Sequence, residues 1–240
     1  MHLSSQFLRI LTSLLAGLLL MGCGGEIEMS GGKDLQAQID AETAVITLQD
    51  LPTGWQEEEP EGSDSEDPCK IKGMFRDMEI AWALSMHLTN RTKKEILDNY
   101  IVVFPDTGSA DEAVSAMVDR WMGCDPEAIR RDMFGQAPAV YFIRSTVVSR
   151  LLLPRLADRA EGVRIAVIGE AGSFPPVPDQ TLAVYDLVYV RMGPMVSIIY
   201  TGAVAAGSAL LQQMAELSAR KMQQVTESSA QQAAAAATEP

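Results

Sequence analysis

The chain has 240 residues, 47% of them hydrophobic and 21% charged, with 19 lysines and arginines against 32 aspartates and glutamates for a formal net charge of −13. Such an acidic surface repels phosphate backbones and anionic headgroups, which excludes nucleic acid and charge-driven membrane binding. Two histidines and three cysteines, with no CxxC, no HExxH and no lysine-bearing glycine-rich loop, also leave most zinc, redox and phosphate-transfer sites without their motifs.

At the amino end, Arg9 precedes an apolar run from Ile10 to Met21, interrupted by Thr12, Ser13 and Gly17. A helix needs about 20 residues to cross ~30 Å of hydrocarbon, so this shorter run predicts a cleaved signal peptide over residues 1–22. Leu20, Met21, Gly22 and Cys23 then resemble the bacterial lipoprotein box, in which a small residue before cysteine lets the protease reach the bond. The resemblance implies that Cys23 takes diacylglycerol by a thioether and that its freed amino group is acylated. Several buried chains, at ~0.8 kcal/mol per methylene, make a stable anchor. The alternative is a secreted protein with a coincidental cysteine. Lipoprotein sorting rules further imply that Gly24 directs the protein to the outer membrane in a host with two membranes.

With residues 1–22 removed, 18 basic and 32 acidic residues remain, a formal charge of −14. Once Cys23 carries lipid, Cys69 and Cys124 are an even pair outside the cytoplasm, where a disulfide is expected. That bond would enclose 54 residues and contribute roughly 4 kcal/mol on the loop-entropy view. Two buried free thiols are the alternative.

Residues 23–33 are glycine-rich and read as a flexible tether, followed by one domain over residues 34–224. Leu35, Ile39 and Val45 predict a short helix to Leu48, ended by the turn from Asp50 to Gly54. Residues 57–67 hold seven acids in eleven positions and read as an exposed loop. A calcium site there would need ligands alternating around a fixed glycine, and that pattern is missing. From Glu79 to Thr89, Ile80, Trp82, Leu84, Met86 and Leu88 alternate with smaller or polar residues, which predicts a half-buried strand. A second strand runs from Leu97 to Phe104. Ser109 with Glu112 reads as a capping box opening a helix whose stripe is Val114, Met117, Val118 and Trp121, stopped at Gly123.

Strands are expected over Val140–Val148 and Val163–Ile168, with Pro175, Pro176 and Pro178 making an extended connection. Thr181 to Gly202 is a hairpin signal. With Gly193 and Pro194 as its loop, paired positions sum to 387, so that Val188 faces Ile199, Tyr189 faces Ile198 and Asp186 faces Thr201. A hydrogen bond to Thr201 is expected to satisfy the Asp186 carboxylate. Leu210, Leu211, Met214, Leu217 and Ser218 mark a closing helix ending near Met222, and residues 225–240 read as a disordered tail. The sum is an α+β fold, a twisted antiparallel sheet of about five or six strands with helices packed against it.

The order of these elements, over roughly Thr43 to Gln224, resembles the PknH-like extracellular sensor domain of actinobacterial kinases and lipoproteins. The residues that carry the likeness are Asp50, Leu51, Pro52, Gly54 and Trp55; Ala113 to Trp121 followed by Cys124; Leu156, Ala157 and Asp158 before a strand; and Asp186 to Gly193 leading to the last strand and helix. The resemblance implies a mixed α+β domain with a cleft suited to a small ligand. This chain departs from it in two ways. It can form one disulfide where members often have two, and Pro194 stands where the family hairpin usually has a polar turn residue.

Past the leader, His87 is the single histidine, and Ser85, two residues away on the same strand face, is an ordinary neighbour and not a nucleophile. A glycosidase pair cannot be picked out among the acids. A thioether copper site would draw on Met86, Met117 and Met214, which sit at core positions. No enzyme activity, cofactor or metal is expected. The expectation is a lipid-anchored, extracytoplasmic, sensor-like binding protein for a small or lipidic ligand, with Tyr185, Tyr189 and Tyr200 as an aromatic wall or, alternatively, as core beneath a helix. A structural lipoprotein that recruits an envelope protein through the acidic loop is the competing reading.

Overall fold

The structure, a computed structural model, describes residues 34–58, 75, 77–129, 141–171, 177–203 and 208–236. Its centre is an open, wholly antiparallel sheet of seven strands: β1 (Gln56–Glu57), β2 (Trp82–Asn90), β3 (Glu95–Val103), β4 (Tyr141–Leu151), β5 (Arg159–Ala171), β6 (Val177–Met192) and β7 (Met195–Ala203). They lie in the order β1-β2-β3-β7-β6-β5-β4. The α+β class read from the sequence holds. The strand beyond the expected six is β1, whose two residues pair with Leu88 and Thr89 and are too few to have a period.

Side-chain alternation sends each strand's residues to opposite faces, and each face builds its own core. Leu88, Leu97, Ile101, Val188, Val190 and Ile199 meet α1 (Leu35–Ala44) and α3 (Ser208–Ala236) on one face. Val102, Val163, Ile165, Leu187, Tyr189 and Ile198 meet α2 (Thr107–Gly123) on the other. The expected stripe of α2 is the buried one, with Val114, Met117 and Val118 fully enclosed and Trp121 nearly so.

Several local expectations are corrected. The cap of α2 is Asp106, whose carboxylate accepts from the Ser109 amide at 2.8 Å, because the chain turns helical two residues before Ser109. In α1 the buried face is Ala37, Ala41 and Ala44, while Leu35 and Ile39 are exposed. Small side chains let α1 sit close against α3, and that packing overrides the apolar spacing. The helix also ends at Ala44, where Val45 is extended and the Ile46 amide donates to Asn99 Oδ1 at 2.8 Å. A 3₁₀ turn, Leu48–Asp50, follows.

At the other end, α3 runs past Met222 to Ala236. Met222 and Val225 continue its buried stripe into the same core, and the alanine-rich sequence beyond favours helix. The β6–β7 hairpin keeps the expected register, Val188 to Ile199 and Tyr189 to Ile198. Gly193 takes a φ of 56°, which a residue without Cβ allows, and Pro194 supplies the negative φ of a II′-like second position. β6 itself starts earlier than expected, at Val177. Of the proline connection, Pro175 and Pro176 lie outside the described residues, and Pro178 is within β6.

Candidate functional site

Strand register brings the chemistry-bearing side chains of the α2 face into two neighbouring rows. In one, His87 on β2 faces Asp98 on β3, which faces Tyr200 on β7, which faces Leu187 on β6. In the next, Ile96 faces Gly202 and Gly202 faces Tyr185. With no side chain at 202, the Tyr185 ring lies down over the strand and stacks on Tyr200, centroids 5.8 Å apart and planes 14° from parallel. A Cβ at 202 would stand 2.8 Å from two Tyr185 ring carbons. Tyr100 flanks this cluster, directly opposite Ser85.

His87 is held through Nδ1 by the Asp98 carboxylate, and both side chains are largely buried. This bond raises the imidazole pKa, against the opposing effect of desolvation, and the charges of Asp98 and Glu58 raise it further. Glu58 donates its backbone amide to the His87 carbonyl at 3.1 Å and pairs with Arg91 through its carboxylate at 2.7 Å. Burial pushes the Tyr185 and Tyr200 phenols up, and the charge of Asp98 and the neighbouring Tyr185 and Tyr100 phenols add to the rise at Tyr200. Burial, then Asp98, does the same to Tyr100. All three phenols therefore stay protonated over the ordinary pH range and can donate.

Of the three tyrosines expected as a wall, the fold brings two together. Tyr185 and Tyr200 are half-buried and stacked, whereas Tyr189 is fully enclosed among the residues under α2. Sequence reading missed Asp98 as the partner of His87. The signal was available: taking residues 91–94 as the turn between β2 and β3 makes paired positions sum to 185 and sets His87 opposite Asp98.

The expected bond from Thr201 to Asp186 is replaced. The two residues do face each other, but the Asp186 carboxylate is clasped by Arg164 from β5, Nε and Nη2 each at 2.7 Å. A guanidinium fork matches a carboxylate in two bonds where a hydroxyl offers one. Met117 and Met214 are buried in the cores and Met86 packs against one of them, as their positions implied.

Among the described residues, no three histidine, cysteine or acidic side chains are grouped so as to hold a metal ion. No helix of the described residues is long and apolar enough to cross a membrane. Cys23 and Cys69 lie outside the described residues, as does the acidic stretch from residue 59 to 67 with the calcium reading attached to it. Cys124 is buried where α2 ends.

The class these features define is an α+β domain with an open antiparallel sheet and an aromatic, polar cluster on one face. No family model matches the chain, and no curated protein matches it. In architecture it is similar to the crystal structure of the extracellular domain of PknH from Mycobacterium tuberculosis, with a TM-score of 0.53 and 10% sequence identity. The likeness covers 80% of this chain and 97% of that one, and it is one of fold.

Proposed function

We propose that this chain is a lipid-anchored, extracytoplasmic, sensor-like protein that binds a small or lipidic ligand and catalyses no reaction. The observation that carries the reading is the Tyr185–Tyr200 stack beside the His87–Asp98 pair, an apolar surface with a few fixed polar groups at its margin. Tyr189 backs this surface from the core. The location is supported by the fold's likeness to an extracellular domain and by the leader that ends in Leu20, Met21, Gly22 and Cys23. Cys23 is the proposed lipid attachment, Cys69 and Cys124 the proposed disulfide, and the outer membrane the destination where the host has two membranes.

The test is a ligand screen on the purified full chain by thermal shift and NMR, repeated on Tyr185→Ala. A compound that binds the native chain and not the variant supports the reading; binding that survives the substitution unchanged sinks it. Intact-mass measurement of protein from its native host tests the anchor separately, and an unmodified Cys23 would overturn that part.

A further inference from the structure

A helix with one buried side normally turns polar residues to water on the other. In α1 the arrangement differs. Its buried residues Ala37, Ala41 and Ala44 define one side, and at about 100° per residue the line directly opposite passes between Leu35 and Ile39. These two are 68% and 46% exposed. The polar side chains lie along the flanks and are tied to the helix itself. Gln36 donates to Asp40 at 2.7 Å, Gln38 donates to Glu42 at 2.8 Å, and the Thr43 hydroxyl donates to the Ile39 carbonyl at 2.8 Å. Asp34 accepts from the Gln36 and Ala37 amides as the cap. One exposed leucine needs no explanation, but two branched side chains four residues apart make an apolar ridge of the outermost part of the helix.

The place of α1 in the chain indicates what meets that ridge. It is the first described element, and eleven residues separate Cys23 from Leu35. A glycine-rich linker of that length averages about 20 Å end to end. Acyl chains on Cys23 therefore keep α1 within reach of the bilayer they occupy. Two side chains could not secure a membrane from solution, but the anchor has already removed most of the translational freedom that such binding would cost. The charge around the ridge discriminates among lipids. Asp34, Asp40 and Glu42 outnumber Lys33, so the contact is apolar and is opposed by anionic headgroups.

Resting on the lipid anchor proposed above, we infer that Leu35 and Ile39 sit in the headgroup boundary of the bilayer that holds the Cys23 acyl chains, with a preference for zwitterionic over anionic lipid. The contact gives the domain a fixed side toward the membrane. Because α1 packs on the sheet face it shares with α3, this leaves α2 and the Tyr185–Tyr200 stack on the far side of the sheet.

The test uses the full acylated chain, purified from its native host and placed in phosphatidylcholine vesicles. It carries a photoreactive benzophenone side chain in place of Ile39 or, as a control, of Ala116, which is exposed on α2. Illumination is expected to attach phospholipid at position 39 and not at position 116, as read by mass. Leu35→Gln, at an exposed position, should unfold at the native urea concentration yet cut the lipid adduct at position 39 by at least about threefold. Replacing part of the phosphatidylcholine with phosphatidylglycerol should also reduce it. Cross-linked dimers in place of lipid adducts would identify a second copy as the occupant and overturn the inference, as would equal lipid adducts at the two positions. Acylated Cys23 with no lipid adduct at position 39 overturns the contact and leaves the anchor standing; an unmodified Cys23 overturns both.

Discussion

Arg164 on β5 holds Asp186 on β6 through two bonds of 2.7 Å, on the sheet face that α1 and α3 cover. The pair is lopsided: the Asp186 side chain is 6% exposed and that of Arg164 is 34%. Removing the guanidinium strands a buried carboxylate, whereas removing the carboxylate's charge leaves a guanidinium that can turn to water. Arg164→Met should cost about 3 kcal/mol and Asp186→Asn about 1 kcal/mol. Urea unfolding of the two variants measures this, and equal losses would contradict the account.

Asn99 is fully buried on the same face and serves two elements. Its Oδ1 accepts from the Ile46 amide at 2.8 Å, and its Nδ2 donates to Ser197 Oγ at 2.9 Å. It thereby fastens the segment after α1 to the middle of the sheet. Asn99→Ala leaves the Ile46 amide and the Ser197 hydroxyl unpaired and should cost about 3 kcal/mol. Hydrogen exchange should quicken at Ile46 more than in β6.

Gly202 is required by the ring above it. A methyl there meets two Tyr185 carbons at 2.8 Å, a distance at which the stack must open. Gly202→Ala should destabilise by about 2 kcal/mol. In a Tyr185→Leu background the same change should cost less than half as much, since the obstructing ring is gone. Additive losses would place the strain elsewhere.

The His87–Asp98 pair makes stability depend on pH with a defined sign. Its bond raises the imidazole pKa above the ordinary 6.5, so the folded chain holds the proton more tightly than the unfolded one. The stabilisation is full below about pH 6.5 and is lost as pH rises through the raised folded value. Thermal midpoints across that window should fall with pH in the native chain, and the fall should be lost or reversed in Asp98→Asn, where desolvation, which lowers the imidazole pKa, is no longer outweighed by the Asp98 bond.

The far end of α3 is structural as far as Val225, which is buried in the core that α1 shares. A chain ending at Gln224 loses that contact and should be less stable by about 1–2 kcal/mol. One ending at Ala230 should unfold at the same urea concentration as the full chain.

The sequence by itself determined the elements that repeat a pattern over several residues. Alternation along β2 and the three-and-four spacing in α2 each record which side of an element meets the interior, and a face is a local property. The β6–β7 register was legible too, because the two-residue turn at Gly193 and Pro194 leaves one pairing that keeps both strands' apolar rows aligned. Tertiary structure alone decided everything that depends on what lies opposite. Alanines of α1 are buried and its larger Leu35 and Ile39 are not, because α3 approaches closely enough to need small side chains. Arg164 reached Asp186 ahead of Thr201 because a third strand, β5, places it there. The site follows the same rule: His87, Asp98, Tyr200 and Tyr185 come from four strands, and no stretch of sequence can hold the information that pairing across a sheet supplies.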